Sequence, residues 1–314
     1  MQEGIVVKST GSWYQVRTSD NDVIPCRIIG KFRLEGKSLT NPVAVGDKVK
    51  FVVQSDEAGL IKKILPRQNY IVRQSPRKKH FLHLLASNID QAVVFMTIVQ
   101  PNLKQGFIDR FLLMTEPHNI PTCIVFNKAD LYKEPDLRVY EFLKEIYEQI
   151  GYTVLLTSSV SQQGIPELKA LMKDKITLVS GQSGVGKSTA LNSLQPNLDI
   201  KTKDISDYTG KGQHTTTFAE MHQLDNGGSF IDTPGIKTLA FSNLEPMDVA
   251  HNFREFFKYS KGCKFHDCKH RDEPKCAVKE AIEAGEISEL RYINYLKILE
   301  EIEDQNYWER HKDM

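Results

Sequence analysis

The chain has 314 residues, 40% of them hydrophobic and 26% charged, which excludes a disordered, collagen-like or disulfide-dense chain. No apolar run approaches the roughly 18 residues that a spanning helix needs, and Met1-Gln2-Glu3-Gly4 lacks the basic-then-apolar start of a signal peptide, so a cytoplasmic location without a membrane partner is expected. The formal net charge of +1, from 41 Lys/Arg and 40 Asp/Glu, argues by itself against a nucleic-acid partner, but it averages unlike segments.

The first segment reads as five short strands. Gly4–Val7, Trp13–Arg17, Val23–Ile28, Val49–Val53 and Leu60–Ile64 are β-branched or aromatic runs bounded by Gly, Asp, Asn and Pro. Five strands in so short a span predict an OB-like β-barrel over residues 1–68. Residues 1–80 hold 15 Lys/Arg against 7 Asp/Glu, and no acidic residue lies between Ala58 and Ile89. Lys62, Lys63, Arg67, Arg73, Arg77, Lys78 and Lys79 fall in that interval, with Trp13, Tyr14, Phe32 and Tyr70 available for stacking. A basic barrel with aromatics predicts RNA or DNA contact, against the plainer reading of a solvated basic face.

From residue 69 to 240 the pattern changes to buried strands alternating with helices. Ala92–Met96, Thr122–Phe126, Thr153–Leu156 and Ile176–Val179 are continuous apolar runs, as in strands covered on both faces, and Ile108–Glu116 and Leu137–Ile150 read as helices. This predicts a parallel sheet in an α/β domain.

Asn127-Lys128-Ala129-Asp130 directly follows the second of these strands. A carboxylate there can accept two hydrogen bonds from the donor edge of guanine, where adenine offers an acceptor. Thr157-Ser158-Ser159, after the next strand, fits a loop closing over the base. Gly181-Gln182-Ser183-Gly184-Val185-Gly186-Lys187-Ser188 then matches G-x-x-x-x-G-K-[ST] between a strand and a helix-compatible stretch, Thr189–Leu194. Its backbone N–H groups can close around a polyphosphate, with Lys187 reaching the β- and γ-phosphates and the Ser188 hydroxyl on Mg²⁺.

Gly212-Gln213-His214-Thr215-Thr216-Thr217 offers a threonine hydroxyl to Mg²⁺; Thr216 is favoured, with Thr215 and Thr217 open. Asp232-Thr233-Pro234-Gly235 follows a further strand, Ser229–Ile231, and supplies an Asp on the magnesium side and a Gly whose N–H can meet the γ-phosphate. Together these elements predict a P-loop GTPase that binds GTP and GDP. A P-loop kinase would leave Asn127–Asp130 unexplained.

The last segment, 241–314, reads as mainly helical. Cys263, Cys268, His270 and Cys276 give C-x₄-C-x-H-x₅-C, a closed three-thiolate, one-imidazole set of the structural zinc type, with His266 as a rival ligand. Cys26 and Cys123 lie in apolar strands and read as core residues. Tyr292, Tyr295, Leu296 and Leu299 recur near helical spacing and read as a packing face.

The order is unusual: Asn127–Asp130 and Thr157–Ser159 precede Gly181–Ser188, Thr215–Thr217 and Asp232–Gly235, as in a circularly permuted chain. With its N-terminal barrel and C-terminal zinc set, the whole chain resembles the ribosome small-subunit-dependent GTPase family (RsgA, also called YjeQ). The resemblance implies a cytoplasmic bacterial GTPase acting late in maturation of the 30S subunit, with hydrolysis stimulated by that subunit and linked to release of an assembly factor. It also assigns the zinc ligands Cys263, Cys268, His270 and Cys276. A monomer touching 16S rRNA is expected, with domains 1–68, 69–240 and 241–314.

Ile236 stands where many GTPases carry a glutamine that orients water, so slow intrinsic turnover is expected. His214 is the local candidate for that role, against the reading of a surface histidine. Gly184, where some potassium-activated GTPases carry asparagine, predicts no potassium dependence through that residue. The rival function is an rRNA-binding scaffold that holds guanine nucleotide as a structural ligand.

Overall fold

The computed structural model describes residues 1–30, 41–54, 58–74, 82–195, 197–198, 200, 219–232 and 244–310. The barrel comprises β1 (Gln2–Ser9), β2 (Tyr14–Thr18), β3 (Val23–Ile28), β4 (Lys48–Val53) and β5 (Gly59–Ile64), in the order β1-β2-β3-β5-β4, and it closes where β4 pairs back on β1. The strands alternate because one face of each is interior. Val6, Val16, Val49, Phe51 and Ile61 fill the middle, while Gln15 and Lys48 point out.

The same alternation corrects one expectation: Tyr14 is two residues from Val16, faces inward with no exposure, and donates its hydroxyl to Asn41 Oδ1 at 2.6 Å. It is a core residue, not a stacking platform. Trp13 points outward, with the Arg27 guanidinium 4.0 Å over its ring. Phe32, Arg77, Lys78 and Lys79 lie outside the described residues.

A hairpin follows, β6 (Tyr70–Gln74) with β7 (Leu82–Ser87), and then the central sheet. Its strands are β8 (Gln91–Met96), β9 (Thr122–Phe126), β10 (Thr153–Leu156), β11 (Ile176–Gly181), β12 (Glu220–Gln223) and β13 (Ser229–Asp232), in the order β10-β9-β8-β11-β13-β12. All neighbours are parallel except β12, which pairs antiparallel at the edge and meets β1 of the barrel at Lys8 and Glu220.

Alternate residues of β8 enter opposite cores. Ala92, Val94 and Met96 pack with α1 (Gly106–Thr115) and α2 (Glu134–Gln149), whereas Val93 and Phe95 pack with α3 (Ile165–Leu171) and α4 (Lys187–Leu194). That double burial is why the strand reads as unbroken apolar sequence.

The C-terminal part contains α5 (Pro246–Asn252), α6 (Arg254–Ser260), α7 (Ala277–Glu283) and α8 (Glu289–Arg310). Its core of Val249, Phe253, Phe256, Tyr295 and Leu299 also takes in Leu113 of α1, so these helices pack directly on the central domain. Tyr295 and Leu299 are buried and Tyr292 and Leu296 pack partly against them, as the spacing predicted. Cys26 and Cys123 are buried, and burial pushes their thiols up to about 11 and about 12, so both stay protonated at neutral pH.

Candidate guanine-nucleotide site and metal centre

The parallel register places the C-terminal ends of β8, β9, β10, β11 and β13 on one edge, where loop residues from all five can converge. β11 ends at Gly181, the loop 182–186 turns, and α4 starts at Lys187, with Ser188 and Thr189 in its first turn. Gly186 takes φ +82°, and a Cβ there would lie 2.6 Å from Nδ2 of Asn127. Only glycine satisfies both the left-handed backbone and that approach. Gly181 is equally confined, since its Cβ would sit 2.6 Å from the Phe95 carbonyl oxygen. Gln182 is half-buried, Ser183 and Gly184 are exposed, and Val185 is buried beneath the loop.

The two motifs far apart in sequence touch. Asn127, 2% exposed, donates from Nδ2 to the Val185 carbonyl oxygen at 2.9 Å and accepts from Thr157 Oγ1 at 3.0 Å. Ser158 donates its hydroxyl to Asp130, and the Ala129 N–H bonds the Thr157 carbonyl oxygen at 3.0 Å, so the loops after β9 and β10 form one surface. Lys128 adopts φ +67° and extends its ammonium to the Gln100 carbonyl oxygen at 2.6 Å; burial lowers its pKa, with Asp130 opposing that shift.

At the other end of the site, Lys187 pairs with Asp232 at the end of β13. One feature fits a bound polar ligand: the buried Ser159 hydroxyl has no hydrogen-bond partner among the described residues. His214, Thr215, Thr216, Thr217, Gly235 and Ile236 lie outside the described residues.

Sequence reasoning missed the segment Thr97–Gln105, which lines this edge, and Tyr132, whose hydroxyl bonds it. No local pattern marks either, because their partners come from other loops.

The second cluster is complete. The ligand atoms of Cys263, Cys268, His270 and Cys276 all lie within 4.8 Å of one another. Cys263 Sγ is 3.9 Å from Cys276 Sγ and 3.6 Å from His270 Nδ1, and His270 Nδ1 is 3.4 Å from Cys276 Sγ. A tetrahedral ion with zinc-like bond lengths needs about 3.8 Å between sulfurs and about 3.6 Å from sulfur to nitrogen, so the spacing fits such an ion.

Burial pushes the Cys268 thiol up to about 12 and raises Cys276 as well, so a bound cation would have to favour their thiolates. His266 is outside the set and lines the small cavity beside it. The ligand loop is fastened to α8 by Tyr292 and Tyr295, which donate to the carbonyl oxygens of His270 (2.7 Å) and Lys269 (2.6 Å).

Comparison with known proteins agrees with this geometry. Residues 64–242 match the family model described as RsgA GTPase, and residues 3–61 match the RsgA N-terminal domain. A small ribosomal subunit biogenesis GTPase RsgA of Flavobacterium psychrophilum is 49% identical, over 97% of this chain and 94% of its own. That of Phocaeicola vulgatus is 45% identical over 97% and 98%. Among solved structures, YjeQ from Thermotoga maritima superposes with a TM-score of 0.78 at 36% identity, covering 96% of this chain and 98% of its own. YloQ, described as a circularly permuted GTPase, gives 0.74 at 32% identity, covering 97% and 96%.

Proposed function

Because this chain belongs to the RsgA family of GTPases, we propose that it hydrolyses GTP to GDP and phosphate while bound to the small ribosomal subunit, late in that subunit's maturation. The observation that carries the reading is the Asn127 amide on the Val185 carbonyl oxygen, which joins the guanine loop to the phosphate loop despite their permuted order.

In this reading Asp130 accepts from the guanine edge, with Asn127, Lys128, Ala129 and Thr157–Ser159 shaping the base pocket. Gly181–Thr189 cradles the phosphates, and Lys187 leaves Asp232 to meet them. Ser188 and Thr216 would hold Mg²⁺, which would neutralise phosphate charge; Asp232 would stand on the magnesium side, and the motif assigns the Gly235 N–H to the γ-phosphate. His214 orients the attacking water, since Ile236 offers no polar atom, and the subunit completes a site that turns over slowly alone.

Cys263, Cys268, His270 and Cys276 hold a structural zinc ion, supported by their tetrahedral spacing. The basic face of domain 1–68 contacts 16S rRNA, domain 69–240 is the permuted GTPase, and domain 241–314 is carried on it through α1. The protein works in the cytoplasm as a monomer, and turnover is tied to departure of an assembly factor. Membership of a GTPase family speaks against the scaffold reading.

Phosphate release measured with and without purified 30S subunits tests this. We expect stimulation by the subunit that His214→Ala abolishes. Equal rates with and without the subunit would reject the proposal, and unchanged stimulation in His214→Ala would reject that residue's role.

A further inference from the structure

The guanine loop is braced by a residue outside its motif. Tyr132 follows the short turn Ala129–Leu131 in extended conformation, so its side chain folds back beneath the loop. Its hydroxyl donates to the Asn127 carbonyl oxygen at 2.9 Å and accepts from the Ile98 N–H at 2.9 Å, with Thr97 Oγ1 at 3.5 Å. Burial raises the phenol, which therefore remains a donor across neutral pH.

One hydroxyl thus fixes two backbone groups from two loops. The Asn127 carbonyl belongs to the peptide that enters Lys128, whose φ of +67° starts the turn carrying Asp130. The Ile98 N–H belongs to the segment that Lys128 also grips at Gln100, and the next residue, Pro101, packs against Gly184, its Cδ 3.6 Å from where a Cβ would stand. Without the hydroxyl, the Asn127 carbonyl and the Ile98 N–H lose their shared partner, while the Ala129 N–H on the Thr157 carbonyl, the Leu131 N–H on the Lys128 carbonyl and Ser158 on Asp130 keep the loop folded but leave the peptide entering Lys128 without its bond to the neighbouring segment.

We propose that Tyr132 is a positioning residue for guanine selectivity: it sets the angle at which Asp130 meets the base. The inference rests on the reading of Asn127–Asp130 as the guanine loop. Its chemical consequence is specific. Asp130 can accept from the ring N–H and from the exocyclic 2-amino group, and inosine nucleotides lack the amino group. Misaiming the carboxylate should therefore harm GDP more than IDP, whereas general loosening of the pocket should harm both equally.

The experiment is GDP and IDP affinity by calorimetry on Tyr132→Phe, which keeps the ring and removes the hydroxyl, with Asp130→Asn measured in parallel. Unaltered circular dichroism confirms folding of each variant. The IDP-to-GDP ratio of Kd should fall about 3- to 10-fold in Tyr132→Phe, the span of one hydrogen bond. It should fall further in Asp130→Asn. If Asp130→Asn leaves the ratio unchanged, the guanine-loop reading fails and the inference with it. If Asp130→Asn collapses the ratio while Tyr132→Phe weakens both nucleotides alike, or neither, only the role of Tyr132 is overturned.

Discussion

Two buried ionic clusters flank the central sheet, and they differ in what each would leave behind if cut. Toward the barrel, the fully buried Asp47 accepts from Arg67 Nε and NH2 (both 2.7 Å), Ser87 Oγ (2.6 Å) and the Ala44 N–H (2.9 Å). Its cationic partner keeps 21% of its side chain exposed and also donates to the Pro42 carbonyl oxygen. Toward the C-terminal helices, the cation itself is sealed: Arg291 of α8 is 1% exposed, donates to both oxygens of Glu255 (2.7 and 3.0 Å) and bonds Asp109 of α1.

Burial works to lower the Arg291 pKa, but the carboxylates of Asp109 and Glu255 outweigh it, and the value lies above the ordinary arginine one. Tyr147, Asn294 and Gln105 complete the shell around Asp109. The barrel is therefore fastened by a carboxylate whose partner can turn to water, and the C-terminal helices by a guanidinium whose partners cannot.

The largest expected effect follows from that asymmetry. Arg291→Ala strands two carboxylates in a dry interior, and breaking one side of such a group costs about 3–5 kcal/mol. Unfolding of the C-terminal helices, followed as zinc release against urea, should move to markedly lower denaturant, with circular dichroism of the central domain changed far less. Coincident loss of both signals would show instead that these helices and the central sheet form one cooperative unit.

Asp47→Asn should cost less, about 1.5–3 kcal/mol, because Arg67 can recover hydration while Ala44 and Ser87 lose a charged acceptor. Trp13 fluorescence in a Trp308→Phe background reports the barrel alone. Equal penalties for the two variants would mean that solvent access to the partner does not set the difference.

The contrast between these clusters also marks what could be read from the sequence. The barrel strands and the strands of the parallel sheet are legible to within two residues, because burial on one or both faces writes itself into alternating or unbroken apolar runs. The loops that the site uses are legible because backbone close to a phosphate demands glycine and a thiolate set demands a fixed spacing. Arg291 is not legible: its partners lie 36 and 182 residues away, and an arginine in a charged helix looks the same whether sealed or solvated. Nor is β12, Glu220-Met221-His222-Gln223, in which Met221 alone is buried, so that a single apolar residue marks the strand. Tyr14 is legible as an inward residue, since its two-residue spacing from Val16 places it on the inward face.

The smallest expected effect is a pH dependence that belongs to the barrel side of the comparison. His222 lies on β12, the strand that receives β1, and stacks on Phe230 with ring centroids 5.0 Å apart. Burial lowers its pKa, with Glu220 and Asp232 opposing and Lys8 and Lys187 reinforcing the shift. His118 packs on Tyr70 of the hairpin at 4.7 Å and is lowered by burial too. For each, the folded protein refuses a proton that the unfolded chain accepts below the usual value of 6.5. The stabilisation is therefore present above that value and declines as pH falls beneath it, levelling off once the depressed folded values are passed. Both rings keep substantial contact with water, so the slope should be shallower than either substitution penalty. Urea midpoints read by Trp13 fluorescence should drop between pH 7.5 and 5.5, and the double variant His118→Gln/His222→Gln should flatten that drop. An identical slope in the double variant would move the titration to other groups and leave these two rings as packing alone.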